Sequence, residues 1–426
     1  MKLLVLQIGL ALGLGAEIHT LTLKQVAGRA LAQSPDAMLS RLDEQRALRD
    51  VDVARDPYVP KFVVGSGLGK SFGFPMIGGA APSVVEARGV ASIYNRKQQF
   101  ELKQARESAR GIAIEGAGRR EQAVFAAVEM YLDAERKARM AEMARRQIES
   151  ARKLDQIARA RVSEGRELAV ETKRSALEVA KAEQRVGAME AERDYAEGAL
   201  ALILGYAAGD RVHAAAEERS VAAAEIPGSE QEAVRLAAAG NKEIRRLESA
   251  LAGKGLEAEA QRSARYPQFD LVAQYALLGR FNNYEDFFRK FQRHNGQLGM
   301  SMQIPLWLSP AAKALAAKAD AEGAKLRIEL LQARGRVALE AERRYRDFHT
   351  AEAARHVARL DLDVAREQLS VQLARLEQGR VTLKHVEETR LAEQEKWMVW
   401  FNSLAELERA RYALLEKTGG LLAALK

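Results

Sequence analysis

The feature that most restricts what this chain can fold into is that it is written twice. From Ala160 it reads ARVSEGRELAVETKRSALEVAKAEQ and continues to ALALILGY at Tyr206. Around Leu373 it reads LARLEQGRVTLKHVEETRLAEQEKW and continues to ALLEKTGGL at Leu421. Two pairs of glycines keep one spacing, Gly165 with Gly379 and Gly205 with Gly419. Upstream, Asp56-Pro57-Tyr58-Val59-Pro60-Lys61-Phe62 parallels Ala264-Arg265-Tyr266-Pro267-Gln268-Phe269. Each follows an Ala- and charge-rich helical stretch, at about 22–55 and 229–264. Self-similarity on this scale makes the repeat the structural unit. Residues 17–206 are expected to form a first repeat of helix, two strands, long helix, turn and helix. Residues 207–228 read as a linker, and 229–426 as the second repeat. One duplicated fold describes this pattern better than two independent domains.

Composition says what the repeats are made of. Of 426 residues 29% are charged and only 9 are proline, with Ala, Glu, Arg, Leu, Lys and Gln dominant. That mixture belongs to long helices and coiled coils, not to a compact α/β enzyme. No proline interrupts 96–162 or 311–376, and at 1.5 Å per residue each stretch would span on the order of 100 Å. Apolar residues recur at three- and four-residue spacing, as at Val124, Val128, Tyr131 and Leu132. Such helices cannot bury themselves within a single chain of this size. They need neighbours, from the other hairpin or from other subunits. Gly165 and Gly379 are placed to cap helices at hairpin tips, and Gly205 and Gly419 to cap the returning helices.

Period-2 alternation marks four strands. Phe62, Val64, Ser66, Leu68, Lys70 and Phe72 alternate with small residues; Phe269, Leu271, Ala273, Tyr275 and Leu277 alternate with polar or small ones. Leu298, Met300, Met302, Ile304 and Leu306 give the cleanest pattern, and 84–94 the least clear. Strands of about ten residues, apolar on one face, suit either a soluble sandwich or a transmembrane barrel. Four strands are too few to close a channel-sized barrel. A barrel therefore needs several chains, and a trimer would supply twelve strands.

The N-terminus reads as a secretory leader. Met1-Lys2 precedes an apolar run from Leu3 to Leu14, and small residues Gly15-Ala16 follow, so 1–16 is expected to be a signal peptide. No other stretch has the roughly 18–20 apolar residues of a spanning helix, so a membrane crossing would use strands. The formal charge of +8 is spread among interleaved signs, as in Arg145, Arg146, Glu149, Arg152, Lys153 and Asp155. This is the pattern of solvated helix faces rather than the basic stripe of a nucleic-acid binder. The absence of cysteine excludes disulfides, thiolate zinc sites, thiol nucleophiles and a lipidated Cys.

Little else suggests chemistry. Gly65-Ser66-Gly67-Leu68-Gly69-Lys70-Ser71 imitates the end of a phosphate-binding loop, but Val64 stands where its first glycine belongs and Pro75 follows instead of a helix. His349 and His356 lie about two helical turns apart, too far to share a metal unaided. Trp397 and Trp400 read as packing anchors. No catalytic residues, cofactor or metal are expected.

In order and spacing, these features resemble the TolC family of outer-membrane efflux proteins. Leu21-Thr22-Leu23 with Ala27, Ala30 and Ser34-Pro35-Asp36 resembles the family's first helix. Tyr58-Val59-Pro60 and Tyr266-Pro267 resemble the lead-ins to its strands. Tyr131-Leu132-Asp133-Ala134, the two glycine tips and the Leu-Leu-Gly type endings also match. The resemblance covers nearly the whole mature chain. It implies a mainly α, internally duplicated fold: a long α-helical barrel in the periplasm, and four transmembrane strands per protomer forming a 12-stranded outer-membrane barrel in a homotrimer. It implies passive conduction for a tripartite efflux or type I secretion system of a Gram-negative-type bacterium. The partners would be a periplasmic adaptor, an inner-membrane pump of RND, ABC or MFS type, and outer-membrane lipid, with no nucleic acid. By position the adaptor-contacting tips are Ser163, Glu164, Gly165 and Arg166, and Gln378, Gly379, Arg380 and Val381. The periplasmic gate falls on His385, Glu387, Glu388 and Arg174. The aspartates that relatives carry past the second tip are replaced here by His385 and Glu388. Glu387 and Glu388 then offer a carboxylate ring, opposed by Lys384, Arg390 and Arg174. The rival reading is an exported or soluble coiled-coil scaffold, which explains the helices but not the alternating strands.

Overall fold

The structure, a computed structural model, describes residues 17–67, 83–215, 226–278 and 294–425. The expected leader, the first strand beyond Gly67 and most of both strand-to-strand connections lie outside the described residues. In chain order the first elements are β1 (Ile18–Leu21), α1 (Leu23–Gln33), α2 (Pro35–Arg55), β2 (Lys61–Gly67), β3 (Ser83–Asn95), α3 (Arg96–Ser163), α4 (Ala169–Ile203) and β4 (Arg211–Ala214). They are followed by α5 (Glu230–Gly240), α6 (Lys242–Arg262), β5 (Gln268–Leu278), β6 (His294–Gln303), α7 (Pro310–Glu377), α8 (Leu383–Thr418) and α9 (Leu421–Ala424).

Helix lengths repeat closely. α1 and α5 have 11 residues each, α2 and α6 have 21, α3 and α7 have 68, and α4 and α8 have 35 and 36. The single helix expected at the start of each half is in fact two. Ser34 is extended ahead of Pro35, whose ring disfavours a helical preceding residue, and Asn241 is extended between α5 and α6. Local capping makes the breaks inexpensive. Thr22 and Gln25 form a reciprocal capping box on α1, the Ser34 hydroxyl accepts from the Ala37 amide, and Ser229 caps α5.

β2, β3, β5 and β6 form one antiparallel sheet in that order. The two halves of the chain therefore meet in the sheet at β3 and β5, which pair from Ser83↔Leu278 to Asn95↔Gln268. The strand least legible in sequence, β3, is a central one. β6 ends at Gln303, short of the expected Leu306, and the segment from Ile304 to Ser309 is irregular. Pro305 has no N–H to give a ladder, and no described strand lies beyond β6. A second sheet was not anticipated: β1 pairs in parallel with β4, four residues inside the segment read as a linker.

Contacts divide the chain into two compact units, and each draws on both halves. One holds residues up to Ser40, Ala117–Asn241 and Arg334–Lys426; the other holds Arg41–Gly116 and Lys242–Ala333. The first has a core of Leu23, Val26, Val128, Leu200, Val212 and Leu415 around the fully buried Tyr131, whose hydroxyl donates to the Ala215 carbonyl at 3.1 Å. The second holds the four-stranded sheet. In it α6 lies against both neighbouring helices: Ser249 Oγ donates to the Glu107 carbonyl of α3 at 2.9 Å, and Lys254 bridges to Glu322 of α7 at 2.6 Å. Arg262 meets Asp320 of α7 at 2.6 Å as well.

Candidate functional site

Four helix ends share one local solution. At Gly165 (φ 71°) the Gly165 amide donates to the Val162 carbonyl and the Arg166 amide to the Arg161 carbonyl. At Gly379 (φ 69°) the same two bonds run from Gly379 to Leu376 and from Arg380 to Arg375. Gly205 and Gly419 repeat the pattern with Leu202 and Ala201, and with Glu416 and Leu415. These paired bonds form the Schellman cap, which needs a left-handed residue that only glycine supplies cheaply. The hairpin tips expected from the repeated glycines are present at residue resolution.

The candidate tip residues fall on two turns that lie together. Ser163, Glu164, Gly165 and Arg166 are exposed on the first, and Gln378, Gly379 and Arg380 on the second. Arg161 ties the turns by donating from Nη2 to the Leu376 carbonyl at 2.8 Å. Beneath them an apolar layer of Leu154, Ala158, Leu376, Leu383 and Val386 packs with Leu369 and Val381. Val381 is therefore half-buried packing, while its companions in the second tip face solvent.

The candidate gate residues separate into two groups. His385 and Glu388 are exposed and 3.8 Å apart, with Lys384 also 3.8 Å from Glu388. Arg174, also exposed, is bound to Glu171 at 2.6 Å. Glu387 is 6% exposed and turned into the helix packing, so it does not share a surface with Glu388. Adjacent residues on a helix point about 100° apart, which is the reason. Burial holds the Glu387 carboxyl above the usual range; Arg390 and Arg174 oppose this, while Glu178 and Glu171 reinforce it.

Sequence reading missed the buried polar layer around Glu387. Arg390 (5% exposed) and Gln394 (5%) continue the inward face of α8 set by Leu383 and Val386. Buried Ser175 of α4 donates to Asp155 of α3 at 2.7 Å, and Arg185 Nη1 donates to Gln394 Oε1 at 3.0 Å. Arg390 Nε and Nη1 are buried without an acceptor among the described residues. Burial depresses the Arg390 pKa, and the Glu387 and Glu178 carboxylates pull it back up. The three- and four-residue spacing from Leu383 through Arg390 was the available signal. It was masked because charged residues on helices usually face water.

The other singled-out residues take structural positions. Trp397 stacks on Phe401 at 5.5 Å and donates to Glu393, with Arg366 over its ring. His349 lies against Tyr345 and 3.4 Å from Glu352. Gly65-Ser66-Gly67 belongs to strand β2, and the rest of that loop-like motif lies outside the described residues.

The sequence matches no protein-family model and no curated protein. Solved structures do share its fold. CusC, a transmembrane channel protein, superposes with a TM-score of 0.76 over 95% of this chain and 92% of its own, at 13% identity. The outer membrane protein VceC of Vibrio cholerae gives 0.73 over 93% and 96%, at 14% identity. The open-state outer membrane channel MtrE of Neisseria gonorrhoeae gives 0.71 over 95% and 88%, at 14% identity. The chain thus has, over almost its full length, the mainly helical fold of these solved structures.

Proposed function

We propose that this chain is one subunit of a homotrimeric outer-membrane export duct that conducts cargo passively to the exterior. The observation that carries the reading is full-length likeness in fold to several outer-membrane channels. The exposed apolar edges of the sheet support it. Phe62 and Val64 on β2 and Leu298 and Met300 on β6 are each more than two-thirds exposed. Among the described residues no helix is long and apolar enough to cross a membrane, so in this reading the crossing uses strands. Twelve strands from three copies make a barrel wide enough for a water-filled path.

In this reading the two tips meet a periplasmic adaptor, and an inner-membrane pump supplies the energy. The exposed set of Lys384, His385, Glu388 and Arg174 lines the narrow periplasmic mouth. Rings of charge in such a constriction filter ions, and this set lacks the like-charged carboxylate pair expected from adjacent Glu387 and Glu388.

The test is the mass, secondary structure and single-particle appearance of the detergent-purified protein, followed by conductance in a planar bilayer. A conducting trimer of long tubes is the expected result. A detergent-independent monomer or dimer without conductance overturns it in favour of a coiled-coil scaffold.

A further inference from the structure

Charge pairing along α3 changes near its start. Farther along the helix, Arg136 meets Asp133 at 2.6 Å, Arg139 meets Glu135 at 2.7 Å and Arg159 meets Asp155 at 2.8 Å. At the start, Arg96, Lys103 and Arg106 have no carboxylate partner among the described residues. With Gln99 they fall on one stripe at three-, four- and three-residue steps. Lys103 and Arg106 are exposed, and Arg96 is half-buried.

Arg96 is held by aromatic rings. Its guanidinium lies 4.2 Å from the centre of the Tyr266 ring and 5.8 Å from that of Phe100. Arg265, exposed and likewise without a carboxylate partner among the described residues, lies 5.3 Å from the same Tyr266 ring and donates to its hydroxyl at 3.4 Å. The Lys103 ammonium lies 5.1 Å from the Phe100 ring. A guanidinium that stacks by its flat face keeps its N–H edge free, in a fork that matches two oxygens of a phosphate. Two such forks on one tyrosine, with no carboxylate between them, make a basic cluster without an anion of its own.

The cluster's place in the fold says which anion. Arg96 follows the end of β3 directly, and Arg265 lies three residues before β5. These are the two central strands of the sheet, so the cluster is complete within one chain and away from the open edges. Register sets Tyr94, Phe269 and Met302 in one row across β3, β5 and β6, on the face that also carries Leu298 and Met300. The Tyr94 and Phe269 rings are 6.1 Å apart. Going from strand to helix, the order is apolar side chains, then aromatic rings, then unpaired cations, which is the order a chain presents as it leaves a bilayer. The first turn of α3 also carries Arg96 and Lys97 and no acidic residue, although helix N-termini favour anions.

We propose that Arg96 and Arg265, braced on Tyr266, bind the phosphate of an anionic membrane phospholipid where the strands give way to helices, with Lys103 and Arg106 adding attraction to the same surface. The bound phosphate supplies the anion that the start of α3 lacks, and fixes the depth of the barrel in the bilayer. Basic clusters at a membrane surface recognise anionic headgroups in this way. This inference rests on the duct reading and adds a lipid site in each chain.

The test uses protein purified in neutral detergent, its mass and its conductance measured first. It is then incubated with equal amounts of phosphatidylglycerol and phosphatidylcholine, and the retained lipids are counted by native mass spectrometry. A conducting trimer that keeps phosphatidylglycerol over phosphatidylcholine at least tenfold is expected. Arg96→Gln with Arg265→Gln should lower that preference at least fivefold, while Arg139→Gln, which removes a paired arginine farther along α3, should leave it unchanged. Raised ammonium acetate gives a reading on the unaltered protein, where the preference should fall by a similar factor. A conducting trimer without the preference, or one whose preference survives the double substitution or the salt, overturns the site and leaves the duct intact. Displacement of the lipid by millimolar inorganic phosphate would show a plain anion site and overturn the lipid assignment. A monomer without conductance overturns both readings.

Discussion

At the scale of single residues, glycine conformation and buried charge make the sharpest demands. Gly165 has φ 71° and open space around its missing side chain, so Gly165→Ala meets only the backbone penalty, about 1–2 kcal/mol. Gly205 has φ 75°, and a Cβ there would also lie 3.0 Å from the Gln33 carbonyl. Gly205→Ala is therefore expected to lower the midpoint of thermal unfolding more than Gly165→Ala, and equal shifts would contradict the packing argument. Glu416 tests buried charge. Burial raises its carboxyl pKa, helped by Glu121 and opposed by Lys417 and Arg344. Because the folded chain then takes up this proton at higher pH than the unfolded chain, its contribution favours folding less as pH rises from the ordinary carboxylate range. Glu416→Gln removes that dependence and leaves Lys417 paired with Glu340 at 3.3 Å. The variant should gain stability over the parent at pH 7.5, with the difference shrinking toward pH 5. A pH-independent difference between the two melting curves would refute this.

At the scale of elements, each helical hairpin is closed by a cap, and the two hairpins are tied to one another by a side chain. Arg161 crosses from the end of α3 to the Leu376 carbonyl on the last turn of α7. A charge-assisted bond of this kind contributes about 1.5–3 kcal/mol. Arg161→Ala is expected to speed amide exchange at 376–381 by about ten- to a hundredfold, that energy expressed as local opening, with little change in the sheet. Unchanged exchange at those amides would mean that the apolar layer alone holds the tips. In the sheet β3 has partners on both sides, while β6 has only β5 among the described strands and ends at Gln303, opposite Gln268 where β5 begins. This is why its alternation, clean through Leu306 in sequence, yields regular strand only to Gln303 in the single chain.

At the scale of the whole molecule, the question is what solvent the sheet meets. Leu298, Met300 and Met302 lie on one face of β6 at 77%, 68% and 57% exposure. If that face meets lipid in the assembled barrel, Met300→Arg should cost about 2–4 kcal/mol of folding into vesicles. Measured by denaturant titration in lipid, an unaltered midpoint would remove this face from the bilayer. Neither compact unit is a sequence half; each gathers pieces from both. The halves therefore act as a duplicated set of parts rather than as separable domains.

The sequence by itself determined the local grammar. Repeated glycines announced the four left-handed caps, proline-free charged runs announced the 68-residue helices, and alternation announced four strands. These are short-range properties, set by backbone sterics, capping and periodic burial, and a single chain displays them directly. The tertiary structure decided which charged residues turn inward and which strands meet. Glu387 read as part of a carboxylate ring and Arg390 as a charge opposing it, until the packing of α8 buried both beside Gln394. β1 and β4 are four residues each, too short for a period to emerge, and they exist because the fold brings 18–21 beside 211–214. The β3–β5 pairing likewise joins residues far apart in the chain. Long-range contacts of this kind depend on how completed elements share surface, and no local pattern encodes that.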